Sequence, residues 1–244
     1  MTTVGFLYPG HAAEDDYPRM ERILGDGVRL AVEHTYGEDL HAVDALRDLG
    51  AHHRLADGFQ RLRRHGPQAV VWACTSGSFV FGWDGATAQV DQLATVTGLP
   101  ASSTSFAFVR AARALGVRKV AVAASYPPEV AECFVRFLDA GGIGVVSLSS
   151  EGIVTAAEVG RLPDADVVRL AARNDHPDAE ALLIPDTAMR TVGLLSRLEE
   201  ELGKPVLTAN QVTVWEGLRL VGDTRSTSRA GALFRAGAGQ NGSR

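Results

Sequence analysis

Two positions in this 244-residue chain put a reactive side chain where chemistry is commonly done. Cys74 ends the apolar run Ala69–Ala73 and is followed by Thr75, Ser76 and Ser78. A thiol at a strand tip, backed by hydroxyls and by the amides of a following helix N-terminus, can serve as nucleophile or proton donor. It can equally be an inert buried thiol, since free cysteine is among the most buried residue types. Asp186 ends the comparable run Ala181–Pro185 and precedes Thr187 and Ala188. An aspartate there caps a helix beginning near Ala188, or it exchanges a proton across a cleft if burial lifts its carboxyl from the usual ~3.9. Tyr126, after the run Lys119–Ala124, either donates its phenol to a substrate oxygen or plugs a cleft wall. His11, after Pro9 and Gly10, lies in an acid-rich loop and reads as a solvated surface histidine.

Composition limits what these residues serve. With 45% hydrophobic and 22% charged residues and a net charge of −5, the chain is that of a soluble globular protein. A mild negative charge gives no general attraction to nucleic acid or to anionic membranes. The 2 cysteines cannot make a disulfide framework or a zinc site alone, so a reduced thiol in a cytoplasmic protein is expected. The second, Cys133, falls in the helical pattern Glu129–Leu138 and reads as core, while Trp72, Trp83 and Trp215 read as packing. Neither an export signal nor a membrane-spanning segment is expected from the N-terminal residues and the apolar runs. There is no P-loop, no strand-linked G-x-G-x-x-G and no metal-ligand spacing, so neither a nucleotide nor a metal cofactor is expected.

The elements that must position Cys74 and Asp186 are short buried-strand runs alternating with helical patterns. The runs are Val4–Tyr8, Ala69–Ala73, Lys119–Ala124, Gly144–Leu148, Ala181–Pro185 and Pro205–Thr208. Such alternation specifies an α/β fold with parallel sheets. Helical spacing runs from Leu40 to His65, and its basic end at Arg61–His65 reads as a solvated helix terminus. Leu194–Gly203 closes another helix, with Gly203 as its C′ residue and Pro205 beyond.

The runs also repeat. Ala69–Ala73 with Cys74-Thr75-Ser76 is echoed by Ala181–Pro185 with Asp186-Thr187-Ala188. Gly98-Leu99-Pro100 before Ser103–Arg113 is echoed by Gly203-Lys204-Pro205 before Thr208–Arg219, and Val4–Tyr8 by Val120–Ala124. Three matched pairs in one order predict two similar Rossmann-like lobes around a central cleft. Residues 1–110 with 210–244 would form the first lobe and 111–209 the second. Ligands of open parallel sheets bind beyond the strands' carboxyl ends, which here are Pro9–His11, Cys74–Ser76, Ser125–Tyr126 and Asp186–Ala188.

Cys74-Thr75-Ser76, the paired tip at Asp186, Tyr126, and Gly-Lys-Pro-Val…Asn-Gln…Trp-Glu-Gly-Leu-Arg over 203–219 resemble the arylmalonate decarboxylase and maleate isomerase family. That family lies within the aspartate/glutamate/hydantoin racemase superfamily, and the similarity runs along essentially the whole chain. The resemblance implies a cofactor-free enzyme whose lobes bring thiols to opposite faces of a small carboxylate. Cys74 matches the first-lobe thiol, and Asp186 stands where the second would be, the reverse of the decarboxylase arrangement. Thr75, Ser76 and Tyr126 match the carboxylate-binding positions, with backbone amides expected from Thr187 and Ala188. Pro9, Gly10, His11 and Asn210 are further cleft candidates. The asparagines of maleate isomerases have no counterpart, because their positions fall around Ala12 and Ala156–Ala157.

Three reactions fit these residues. One thiol suits decarboxylation with protonation on one face. Thiol addition to a double bond suits cis–trans isomerisation, with Asp186 assisting, and Cys74 with Asp186 suits two-base racemisation. An ionised Asp186 would repel an anionic substrate, so it must be protonated, turned away, or facing a neutral or cationic group. A non-catalytic carboxylate-binding protein is the reading from another class. The expected partner is a small carboxylic acid, with homo-oligomerisation left open.

Overall fold

The computed structural model describes residues 1–235; residues 236–244, the end of the expected first lobe, lie outside the described residues. Eight strands form two four-stranded parallel sheets. The first holds β1 (Thr2–Pro9), β2 (Val28–Thr35), β3 (Ala69–Trp72) and β4 (Ala101–Ser103) in the order β2-β1-β3-β4. The second holds β5 (Lys119–Ala124), β6 (Gly144–Ser150), β7 (Ala181–Ile184) and β8 (Val206–Thr208) in the order β6-β5-β7-β8. The two orders are the same with every index raised by four. The central strands β1, β3, β5 and β7 are buried almost throughout, as strands covered by helices on both faces must be. The helices preceding β4 and β8 both end on a left-handed glycine, Gly98 at φ 67° and Gly203 at φ 65°. The repeat therefore extends to the cap that turns each chain segment into its edge strand.

Four expectations are corrected. The pattern from Leu40 to His65 is two helices, Val43–Leu49 and His52–Leu62, followed by a 3-10 turn at Arg63–His65. Gly50 sits at the break, packed so closely on the Gly77 carbonyl that a side chain would collide with it. Strands β2 and β4 were not expected: β2 alternates buried and partly exposed residues, and β4 has only three. Cys133 is half-buried on the flank of helix Pro128–Ala140, where its thiol donates to the Glu129 carbonyl and accepts from Arg136. No helix begins near Ala188; the chain forms a turn there and becomes helical only at Val192.

Helix Thr104–Ala114 and helix Ala209–Leu220 lie side by side, tied by Thr104 Oγ1 to Thr213 Oγ1 at 2.6 Å. Gly217 brings the second of them onto Val4 and Phe6 of β1. The segment following β8 thus returns to the first sheet. No helix among the described residues is long and apolar enough to cross a membrane.

Candidate active site

The carboxyl ends of β1, β3 and β7 open into a cavity of about 130 Å³. From the sequence candidates it receives Pro9, Gly10, His11, Cys74, Ser76, Asp186, Thr187 and Ala188. Thr75, Tyr126 and Asn210 are buried but do not line it. Three groups not anticipated complete the walls, Tyr8, the loop Gly37–His41 and the leucines Leu46 and Leu49, together with Ala156, a position the family resemblance had marked.

Cys74 is buried, with its sulfur 3.7 Å from Ser76 Oγ and accepting the Gly77 N–H at 3.2 Å. The turn is locked from behind. Gly77's carbonyl accepts from Trp72 Nε1 and Gln89 Nε2, and Ser105 Oγ donates to the Thr75 carbonyl. Burial pushes the thiol up to about 11, against the pull of the Gly77 amide and the Ser76 hydroxyl, and the Asp186 carboxyl adds to the rise. At neutral pH this sulfur carries its proton. Thr75 Oγ1 is fully buried with no hydrogen-bond partner.

Asp186 is buried and both of its oxygens accept hydrogen bonds. Oδ1 accepts the Ala188 N–H at 2.9 Å, capping a turn rather than a helix, and Oδ2 accepts from Ser125 Oγ. His41 approaches the same oxygen, with Nε2 at 4.0 Å. Tyr126 spends its phenol on the Pro185 carbonyl at 2.9 Å, holding the strand end that presents Asp186. Burial drives that phenol well above its ordinary range, and Asp186 and Cys74 reinforce the shift. Tyr8 donates to the Thr187 carbonyl at 2.8 Å and so joins β1 to the facing turn. Asn210 donates to the Thr187 carbonyl and to Asp16 Oδ2, both at 3.1 Å, buttressing that turn from outside the cavity.

His11 is exposed at the rim, 3.1 Å from Glu14 Oε1, with its ring centre 3.9 Å from that of His34. Its exposure matches the sequence reading. His11, Glu14 and His34 bring donor atoms within 4.8 Å of one another and are the residues that could hold a metal ion among those described. Sequence spacing hides this cluster because His34 arrives on β2, where the parallel register sets it beside Tyr8. His41 and Tyr8 escaped sequence reading for the same reason, since neither has a chemical partner nearby in the chain.

Residues 29–234 match the family model described as arylmalonate decarboxylase. The chain belongs to the arylmalonate decarboxylase family. Arylmalonate decarboxylase of Bordetella bronchiseptica is 30% identical over 188 residues, which is 76% of this chain and 75% of that protein. A maleate isomerase of Nocardia farcinica is 30% identical over 177 residues, 69% of this chain and 70% of its own. A liganded arylmalonate decarboxylase variant, with one glycine replaced by cysteine and one cysteine by serine, superposes with a TM-score of 0.84 at 26% identity. It covers 96% of this chain and 99% of its own. The relatives are a lyase and an isomerase, and this chain is an enzyme of the same family.

Proposed function

We propose that the enzyme decarboxylates a small dicarboxylic acid through an enediolate, with Cys74 as the residue that protonates the new carbanion. The observation that carries this reading is the Cys74 thiol, buried in the cavity wall beside hydrogen-bond donors. Ser76 Oγ is 3.7 Å from the sulfur and the Gly77 N–H is 3.2 Å from it. The retained carboxylate is assigned to the Ser76 hydroxyl and to the Thr187 backbone amide, both in the cavity wall. As carbon dioxide leaves, the electrons of the breaking C–C bond pass into that carboxylate. Donors already aimed at it stabilise the growing charge without reorganisation. The Cys74 S–H bond then breaks, its proton bonds to the α-carbon, and the thiolate regains a proton from solvent.

The apolar side of the cavity supports the substrate class. Leu40, Leu46, Leu49 and Ala156 line it, and Ala156 sets a methyl where the family resemblance would place an isomerase asparagine. An aryl or alkyl substituent on a malonate fits these side chains. A second reading, thiol addition to a double bond with cis–trans isomerisation, is favoured by the Gly77 N–H aimed at the sulfur, since such a donor stabilises a thiolate. A reducing cytoplasmic setting, in which Cys74 stays a free thiol, is part of the same proposal.

Turnover of 2-methyl-2-phenylmalonate and of maleate in deuterated water separates the two. Deuterium at the new stereocentre, formed in one hand, supports decarboxylation. Conversion of maleate without incorporation supports addition.

A further inference from the structure

One group of metal-ligating side chains stands apart from the chemistry assigned to Cys74. His11 and Glu14 come from the loop after β1, and His34 comes from β2, where the parallel register sets it beside Tyr8. One donor atom from each of the three lies within 4.8 Å of the other two. His34 is already oriented as a ligand would be, because its Nδ1 meets the Gly10 carbonyl. A carbonyl only accepts, so Nδ1 carries the proton and Nε2 keeps its lone pair. An imidazole held from behind by a carbonyl is the usual support of a metal-bound histidine. The backbone around it is tied down as well, with the Gly10 N–H on the Thr35 carbonyl at 2.9 Å and Arg61 Nη2 on the His34 carbonyl at 2.6 Å. On the other side, His11 Nδ1 stands 3.1 Å from Glu14 Oε1. Two ligands of one tetrahedral zinc ion, each ~2.0–2.1 Å from it, stand about 3.3 Å from one another. Glu14 Oε2 accepts the Ala12 N–H at 2.8 Å, which fixes the direction of the carboxylate.

We propose that His11, Glu14 and His34 hold a divalent transition-metal ion of the zinc class at the rim of the cavity, and that its charge draws a dicarboxylate substrate in. Two imidazoles and one carboxylate suit zinc, cobalt or nickel, whereas magnesium and calcium call for oxygen ligands. The role given to the charge rests on the dicarboxylate reading above. It answers a feature of the cavity itself: among the described residues no lysine or arginine lines it, while Glu38, Asp39 and Asp186 do. His11 lines the same cavity, so an ion bound to it sits at the entrance. Binding a divalent cation there converts the negative charge of Glu14 into a net positive one. Such a charge acts over several ångströms in a partly enclosed cleft and is weakened by salt. The ion attracts and Cys74 still delivers the proton, so KM falls and kcat stays.

The test uses the full chain without a histidine tag, stripped of metal by a chelator. In calorimetry on the resting enzyme, zinc chloride is expected to bind saturably, and Glu14→Gln and His34→Gln are each expected to weaken that binding about tenfold or more. Cobalt(II) in place of zinc is expected to give visible absorption bands without the sulfur charge-transfer band that binding at Cys74 or Cys133 would bring. Magnesium chloride is expected to give no saturable binding. With 2-methyl-2-phenylmalonate at low salt, zinc is expected to lower KM about threefold or more and to leave kcat within about twofold, an effect that shrinks in ~0.5 M sodium chloride. In His34→Gln the same zinc leaves KM unmoved. No saturable zinc binding, equal affinity in wild type and both variants, or a KM that bound zinc does not lower each overturns the proposal. Failure of the decarboxylase reading shows separately, as absence of malonate turnover with or without zinc, and calorimetry and the cobalt spectrum then still decide the site.

Discussion

At Cys74 two physical effects compete, and burial wins. The Gly77 amide and Ser76 hydroxyl favour a thiolate, yet loss of solvent and the nearby Asp186 carboxyl hold the thiol at about 11. A raised thiol means the folded state keeps a proton that the unfolded chain, near 8.5, gives up. This group therefore costs stability only as pH rises from about 8.5 through 11. Cys74 is expected to resist iodoacetamide at pH 7, with an alkylation rate still climbing at pH 10; mass mapping of the labelled peptide checks this against half-exposed Cys133. Ser125 is the other informative residue, because among the described residues it alone donates to Asp186 Oδ2. Ser125→Ala is expected to cost about 1–3 kcal/mol by leaving a buried acceptor short of a donor, read from urea unfolding. Cys74 and Asp186 were legible in the sequence because each follows a strand run of its own. The Asp186 surroundings were not, since the turn it caps and the Ser125 hydroxyl it accepts from are set by tertiary packing.

At the level of elements, the site depends on a close approach that the sequence conceals. Gly50 ends the helix Val43–Leu49 against the Gly77 carbonyl, and Gly77 holds the Cys74 sulfur. Hydrophobic spacing carried helical periodicity straight through Gly50, since it contains no information about a neighbour 27 residues ahead. Gly50→Ala is expected to push the thiol turn out of register and lower kcat/KM at least tenfold, with circular dichroism little changed. Strand β2 was missed because its polar residues break the apolar run. Yet β2 delivers His34, and the loop beyond it delivers His41. At the return helix, Gly217 leaves no room between the backbone and Val4. Gly217→Ala is expected to cost about 1–3 kcal/mol through overpacking, again measured in urea.

On the scale of the whole molecule, the duplicated sheets explain why chemistry gathers between the lobes. Equivalent strand tips, one bearing Cys74 and the other Asp186, open into the same cavity. The repeat was readable because matched strands kept their order and their glycine caps; the contacts across the cleft were not, because they join residues far apart. Asp16 Oδ2 accepts the Thr191 and Val192 N–H groups and Asn210 Nδ2, while neighbouring Asp15 pairs with Arg190 at 2.8 Å. With Tyr8 on Thr187 and His41 on Ile153, these bonds hold the cavity at its present width. Asp16→Ala removes an acceptor shared by three buried donors and is expected to cost about 3 kcal/mol or more. The unfolding curve should also broaden as the two halves uncouple.

The central claim is that Cys74 delivers the proton to the carbanion. Decarboxylation of 2-methyl-2-phenylmalonate in deuterated water, by wild type and by Cys74→Ala, tests it most directly. The account predicts one enantiomer of α-deuterated 2-phenylpropionate at early times from wild type. It predicts a fall in kcat/KM of about 10²-fold or more for the variant, the usual scale for losing a general acid. Full turnover by folded Cys74→Ala, with the same stereochemical outcome, would contradict it.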